Sequence, residues 1–139
     1  MPDDIVVDAS VAAKLYFVDQ GTPDVKAALK AGASLLAPEL LFVEMASVAT
    51  KCIRRGESTT DQAAAAVASV LTLLDEAVPM SGLSRRAFEL ASRHGFSAYD
   101  GSYLALAEQR GLQVLTADGK LVRRAQEQGL AHLVRLLGT

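Results

Sequence analysis

The sequence predicts an α/β domain in which a parallel sheet is covered by helices on both faces. Three observations carry this. Short apolar runs, one of them wholly β-branched, alternate with longer stretches of helical character. Every connection between runs contains at least one such stretch, which is the pattern of parallel strands joined by helical crossovers. Glycines stand just past most of the helical stretches, where the left-handed conformation that ends a helix is needed. A length of 139 residues fits one core, and residues 1–139 are read as a single domain.

Taken in order, Ile5-Val6-Val7 reads as a buried first strand, and a helix ending near Gly32 follows it. Leu35-Leu36-Ala37 is the second strand. Pro38 fits the first turn of a helix running to about Arg55 and stopped by Gly56. Thr59 and Gln62 have capping-box spacing at the start of an Ala-rich helix, and Ala77-Val78 is the third strand. Two helices then stop at Gly95 and Gly111, directly after His94 and Arg110, residue types that suit the negative end of a helix. Val114-Leu115-Thr116 is the fourth strand. A further helix stops at Gly129, and His132 to Arg135 is the fifth strand.

Composition narrows the function. Half the residues are hydrophobic and 22% are charged, which excludes a disordered chain. There are 24 Ala and 20 Leu, a bias toward packed helices. Aromatic residues are 5% with no Trp, which argues against a base-stacking platform. A net charge of −2 gives no global attraction for nucleic acid. The single Cys52 excludes an internal disulfide. Met1-Pro2-Asp3-Asp4 lacks the basic region of a signal peptide. The most apolar stretch, Ala63 to Leu74, falls well short of the roughly 20 residues needed to span a bilayer. A cytoplasmic protein without a membrane segment is expected.

The informative residues are four acids. Asp8 directly follows the first strand and Asp118 lies just past the fourth, and the carboxyl ends of parallel strands are where ligands bind in open α/β sheets. Glu44 borders the apolar stripe Leu41, Met45, Val48 and Cys52 on its helix. Asp100 shares a helix face with Tyr103, Leu104 and Ala107. Each has a local explanation. Asp8 and Asp118 are placed to cap the helices that follow them, Ser97-x-x-Asp100 has capping-box spacing, and Glu44 has cations nearby in sequence. Jointly these explanations weaken, because several desolvated carboxylates repel one another unless a cation neutralises them. Carboxylate oxygens suit hard ions such as Mg²⁺ or Mn²⁺. One Cys and two His without ligand spacing disfavour zinc. His94 reads as a helix-end residue, and no phosphate-binding Gly-rich loop is present.

These motifs resemble those of the PIN-domain ribonucleases, and among them the small VapC-type toxins of toxin–antitoxin pairs. Ile5-Val6-Val7-Asp8-Ala9-Ser10-Val11 is similar to the family's strand ending in Asp-x-Ser. Pro38 through Glu44 is similar to its helix with an inward Glu. Ser97 through Ala107 is similar to its Asp followed by a Tyr-Leu-Ala-Leu-Ala-like helix, and Leu115-Thr116-Ala117-Asp118 to its Thr-x-Asp after a strand. The resemblance spans nearly the whole chain. It implies a PIN-like three-layer fold with a five-stranded parallel sheet ordered 3-2-1-4-5, and endonucleolytic hydrolysis of RNA. It also implies that Asp8, Glu44, Asp100 and Asp118 are catalytic and hold Mg²⁺ or Mn²⁺. Some members carry a fifth acid where Gly119 and Lys120 stand here, so one ion or two both remain open. Ser10 and Thr116 have hydroxyls that could orient Asp8, Asp118 or a metal-bound water. A homodimer and a VapB-like antitoxin that blocks the acids are further implications. The basic groups Lys51/Arg54/Arg55, Arg85/Arg86/Arg93 and Lys120/Arg123/Arg124 either contact RNA phosphates or are solvated helix faces. The competing reading is a catalytically inactive PIN-like interaction module.

Overall fold

The computed structural model describes residues 4–17, 29 and 33–139. The helix stop expected at Gly32 lies outside the described residues. Five short strands, β1 (Ile5–Val7), β2 (Leu35–Pro38), β3 (Glu76–Val78), β4 (Val114–Thr116) and β5 (Val134–Leu136), form one parallel sheet in the order β3-β2-β1-β4-β5. In β1, Ile5 pairs with Leu35 on one side, while Val6 and Val7 pair with Val114 and Leu115 on the other. The chain therefore leaves β1 toward one edge and later returns to its opposite side. That reversal makes the gap between the carboxyl ends of β1 and β4 the topological switch point, where such sheets bind ligands.

The described helices are α1 (Ala9–Tyr16), α2 (Leu40–Arg54), α3 (Thr60–Leu73), α4 (Ser84–His94), α5 (Ala98–Arg110) and α6 (Gly119–Glu127). The most deeply set is α5. It packs on β1, β2 and β4 and carries α4 on its other side. Gly101 to Ala107 are all buried, as in a helix enclosed by protein around most of its circumference. The approach of α4 is close enough to require a residue without a side chain. A Cβ on Gly101 would stand 2.7 Å from the Ala87 carbonyl oxygen and 3.2 Å from the Ala87 Cα. The expected Thr59–Gln62 capping box opens α3, whose Ala63, Ala66 and Val70 are buried and which packs on α2. Gly95 and Gly111 end α4 and α5 at φ 75° and 66°, conformations a side chain would strain.

Three details differ from the sequence expectation. Pro38 ends β2 instead of opening the next helix. Its position pairs with Val78, and the Glu39 N–H takes up the ladder by donating to the Val78 carbonyl at 2.9 Å. The fifth strand begins at Val134, because Ala131–Leu133 form a short 3₁₀ turn first. On α2, Ala49 rather than Val48 completes the buried stripe of Leu41, Met45 and Cys52. Among the described residues, no helix is long and apolar enough to cross a membrane.

Candidate active site

Asp8 sits where β1 turns into α1. It caps that helix, its Oδ1 accepting the Val11 N–H at 3.2 Å and the Ser10 hydroxyl at 2.6 Å. The local explanation of Asp8 is therefore correct but incomplete. The Ser10 Oγ also accepts the Ala117 N–H at 2.8 Å and lies 3.3 Å from the Thr116 Oγ1. Thr116 Oγ1 in turn accepts the Asp118 N–H at 3.0 Å. One run of hydrogen bonds thus ties Asp8, at the end of β1, to the loop that holds Asp118 beyond β4. Asp118 is also a cap, its Oδ1 accepting the N–H groups of Lys120 and Leu121 at 2.9 and 3.4 Å. Its residue is exposed.

The other two acids come from helices. Glu44 is half-buried on α2, and its Oε1 accepts the Tyr103 hydroxyl at 2.6 Å. Tyr103 lies one turn after Asp100 on α5 and is only 2% exposed. Asp100 is half-buried; its own N–H donates to the Ser97 Oγ at 3.0 Å. No return bond from the Asp100 carboxylate accompanies it among the described residues, so this is half of the expected capping box. The Asp100 carboxylate lies within electrostatic reach of Asp8 and Asp118, with the Ser97 hydroxyl as a hydrogen-bond partner.

Charge repulsion links the four in pairs. Burial lifts the Asp8 carboxyl above the usual aspartate range. Its bonds from Ser10, Thr116 and the Val11 N–H pull the other way, and repulsion from Glu44 adds to the rise. Burial likewise lifts Glu44; the Tyr103 hydrogen bond opposes this and Asp100 reinforces it. Asp100 is raised by burial, then by Asp8 and by Asp118, against the Ser97 bond. Burial beside Glu44 pushes the Tyr103 hydroxyl far up, so it stays protonated and remains a donor. None of the four carboxylates forms an ion pair with Lys, Arg or His among the described residues.

This arrangement is open. Among the described residues no three His, Cys, Asp or Glu side chains are gathered as a ready-made metal cage. An ion that demands full coordination by protein side chains does not fit here. Mg²⁺ keeps several waters and is commonly held by one or two carboxylates together with substrate phosphates. The four acids offer hard oxygens only, and their charges repel in pairs with no ion pair to Lys, Arg or His among the described residues.

Residues 5–127 match the family description of the PIN domain. The chain belongs to the PIN-domain family, within its VapC type. As a PIN-domain chain it is 30% identical to Ribonuclease VapC3 of Pyrobaculum aerophilum over 122 residues, 86% of this chain and 93% of that protein. It is also 30% identical to Ribonuclease VapC12 of Mycobacterium tuberculosis over 119 residues, covering 86% and 90%. The crystal structure of PAE2754 from Pyrobaculum aerophilum has the same fold, with a TM-score of 0.62 at 23% identity over 94% of this chain and 88% of that one.

Of the six residues singled out in the sequence, hydrogen bonds run from Asp8 through Ser10 and Thr116 to the Asp118 backbone, and Glu44 and Asp100 lie within electrostatic reach of Asp8. Tyr103 was noted only as a neighbour of Asp100 on a helix face. Its link to Glu44 joins residues 59 positions apart, and the remaining signal was its place one helical turn from an acid. His94, as expected, ends a helix; its Nδ1 lies 3.0 Å from the Gln128 Oε1.

Proposed function

We propose that this PIN-domain chain is a divalent-metal-dependent endoribonuclease, the toxin of a VapBC-type pair. The observation that carries this reading is a set of carboxyls raised by burial and by one another, at a switch point, with no ion pair to Lys, Arg or His among the described residues. The relatives named as VapC ribonucleases supply the substrate class. Asp8, Glu44, Asp100 and Asp118 would hold Mg²⁺ or Mn²⁺. When bound, the ion supplies hydroxide near neutral pH from its own water and stabilises charge on the phosphate. The protein's share is positioning. Ser10 fixes the Asp8 carboxylate, and Thr116 and Ser10 hold the backbone of the Ala117–Asp118 loop. Tyr103 fixes Glu44.

The same carboxylates suit an antitoxin partner. A VapB-like partner placing an Arg among these carboxylates would give them paired, charge-assisted N–H donors. Such a toxin works in the cytoplasm beside its antitoxin, as a homodimer.

The reading is tested on the purified chain freed of any protein partner. Cleavage of single-stranded RNA is expected in Mg²⁺ or Mn²⁺ and is lost in chelator, and saturating metal raises the melting temperature by linkage. Equal cleavage with metal and with chelator would overturn it. Tyr103→Phe separates positioning from packing. Removing the hydroxyl is expected to weaken Mn²⁺ binding by about tenfold, the lower end for losing a residue that orients a ligand. The ring still fills its place in the core. Unchanged Mn²⁺ affinity by calorimetry would show that Glu44 does not need this bond.

A further inference from the structure

Next to the acids lies a groove of about 390 Å³, lined by Ala9, Leu40, Val43, Glu44, Ser47, Val48, Lys51 and Tyr99. Three features set it apart from an ordinary surface cleft. Glu44 forms part of its wall, with Ala9 and Tyr99, the chain neighbours of Asp8 and Asp100, so it adjoins the candidate active site. The Tyr99 side chain, next in sequence to Asp100, is 62% exposed, so a large ring is left available at the rim. Lys51 lies seven residues after Glu44 on α2, on the same face and about 10 Å along the axis. It forms no ion pair among the described residues.

We propose that this groove holds the nucleoside flanking the scissile phosphate of single-stranded RNA, with Tyr99 stacking on the base and Lys51 meeting a neighbouring phosphate. The proposal rests on the ribonuclease reading and extends it to how substrate is held. The walls provided by Leu40, Val43 and Val48 suit the faces of a base, and Ser47 offers a hydroxyl to its edge. The volume is at the low end for small-ligand pockets, suited to one nucleoside. A chain with few aromatics cannot build a stacking platform, but one stacked base needs one ring. Of the three basic groups in the sequence, the group containing Lys51 reaches this groove. In the second group, Arg86 is already held by Glu108 at 2.8 Å and by Glu89 at 3.5 Å.

The test is steady-state cleavage of a labelled single-stranded oligoribonucleotide by the full chain in Mg²⁺, with Mn²⁺ affinity measured in parallel. Tyr99→Ala is expected to raise KM about tenfold, the size of loss that follows removal of one base–aromatic stack. Tyr99→Phe keeps the ring and should retain the wild-type KM. Lys51→Ala should raise KM and flatten its dependence on log salt by about one unit, as for one lost phosphate contact. Mn²⁺ affinity is expected to stay unchanged in all three variants. Cleavage with unchanged KM in both alanine variants overturns the proposal and leaves the ribonuclease reading standing. A phenylalanine variant as weak as the alanine one overturns the stacking role. If KM is unchanged while Tyr99→Ala loosens a bound antitoxin, the groove belongs to a polypeptide and the proposal falls. If the unmodified chain neither cleaves RNA nor binds Mn²⁺, both readings fail together.

Discussion

Asp100→Asn is expected to cost at least about a thousandfold in metal-dependent RNA cleavage, while making the metal-free protein more stable at neutral pH. The loss follows because charge stabilisation by a bound ion is worth several kcal/mol, and each 1.4 kcal/mol is tenfold in rate. The gain follows from the sign of the shift. In the folded protein Asp100 is raised by burial and by Asp8 and Asp118. Between the ordinary aspartate value of about 4 and that raised value, the folded chain binds a proton that the unfolded chain has released. Metal-free stability therefore falls as pH rises through this window and stays lower above it. The amide removes this penalty. Its advantage is expected as a rise of a few degrees in melting temperature at pH 7, vanishing below about pH 4 where the carboxyl is protonated in both states. Saturating Mn²⁺ should reverse the ranking by stabilising the wild type more. Full cleavage by the variant, or a lower metal-free melting temperature at pH 7, would contradict the assignment of Asp100.

Gly101→Ala is expected to lower the melting temperature by roughly 5–10 °C and to reduce cleavage by about a hundredfold. On helix propensity alone the change would stabilise by about 1 kcal/mol. Packing decides otherwise. The new methyl group would stand 2.7 Å from the Ala87 carbonyl oxygen, and what it meets is backbone, which cannot rotate out of the way. Overpacking of this kind typically costs about 1–3 kcal/mol net. Relief requires α5 to move away from α4, carrying Asp100 with it, and misplacing a catalytic group by about 1 Å can cost a hundredfold. Gly82→Ala is the comparison, since nothing stands within 4 Å of its added carbon. It should stay within about 0.5 kcal/mol of wild type by denaturant unfolding. A Gly101→Ala protein as stable as wild type would show that the helices have slack.

Much of this architecture is legible in the chain because local chemistry and global fold agree. Ile5-Val6-Val7 is too short and too uniformly β-branched for a helix, and Thr59 and Gln62 satisfy each other across one turn as their spacing requires. Pro38 was misplaced because proline suits two neighbouring positions equally, the end of a strand and the start of a helix. Val48 and Ala49 exchange roles because a stripe inferred at 100° per residue does not reveal which flank will face a groove. For the site, each motif is visible locally, while its meaning is not. Asp8 and Asp118 do cap helices, so nothing within either segment separates a cap from a ligand. What separates them is the neighbourhood of β1 and β4, which depends on sheet order, and the family resemblance provided that order. The Tyr103–Glu44 bond has no local signature at all.

The bridge from Ser10 to Thr116 spans 106 positions of the chain. A nascent polypeptide that has made β1 but not β4 has neither Thr116 nor Ala117 to complete the bridge, and no Asp118. At about 5–20 residues per second, roughly 5–20 s of synthesis separates the two halves of the bridge. On the proposed ribonuclease reading, a chain that stops before Asp118 would lack one of the four acids and the bonds that place its loop, so cleavage is expected only once β4 and that loop have been made.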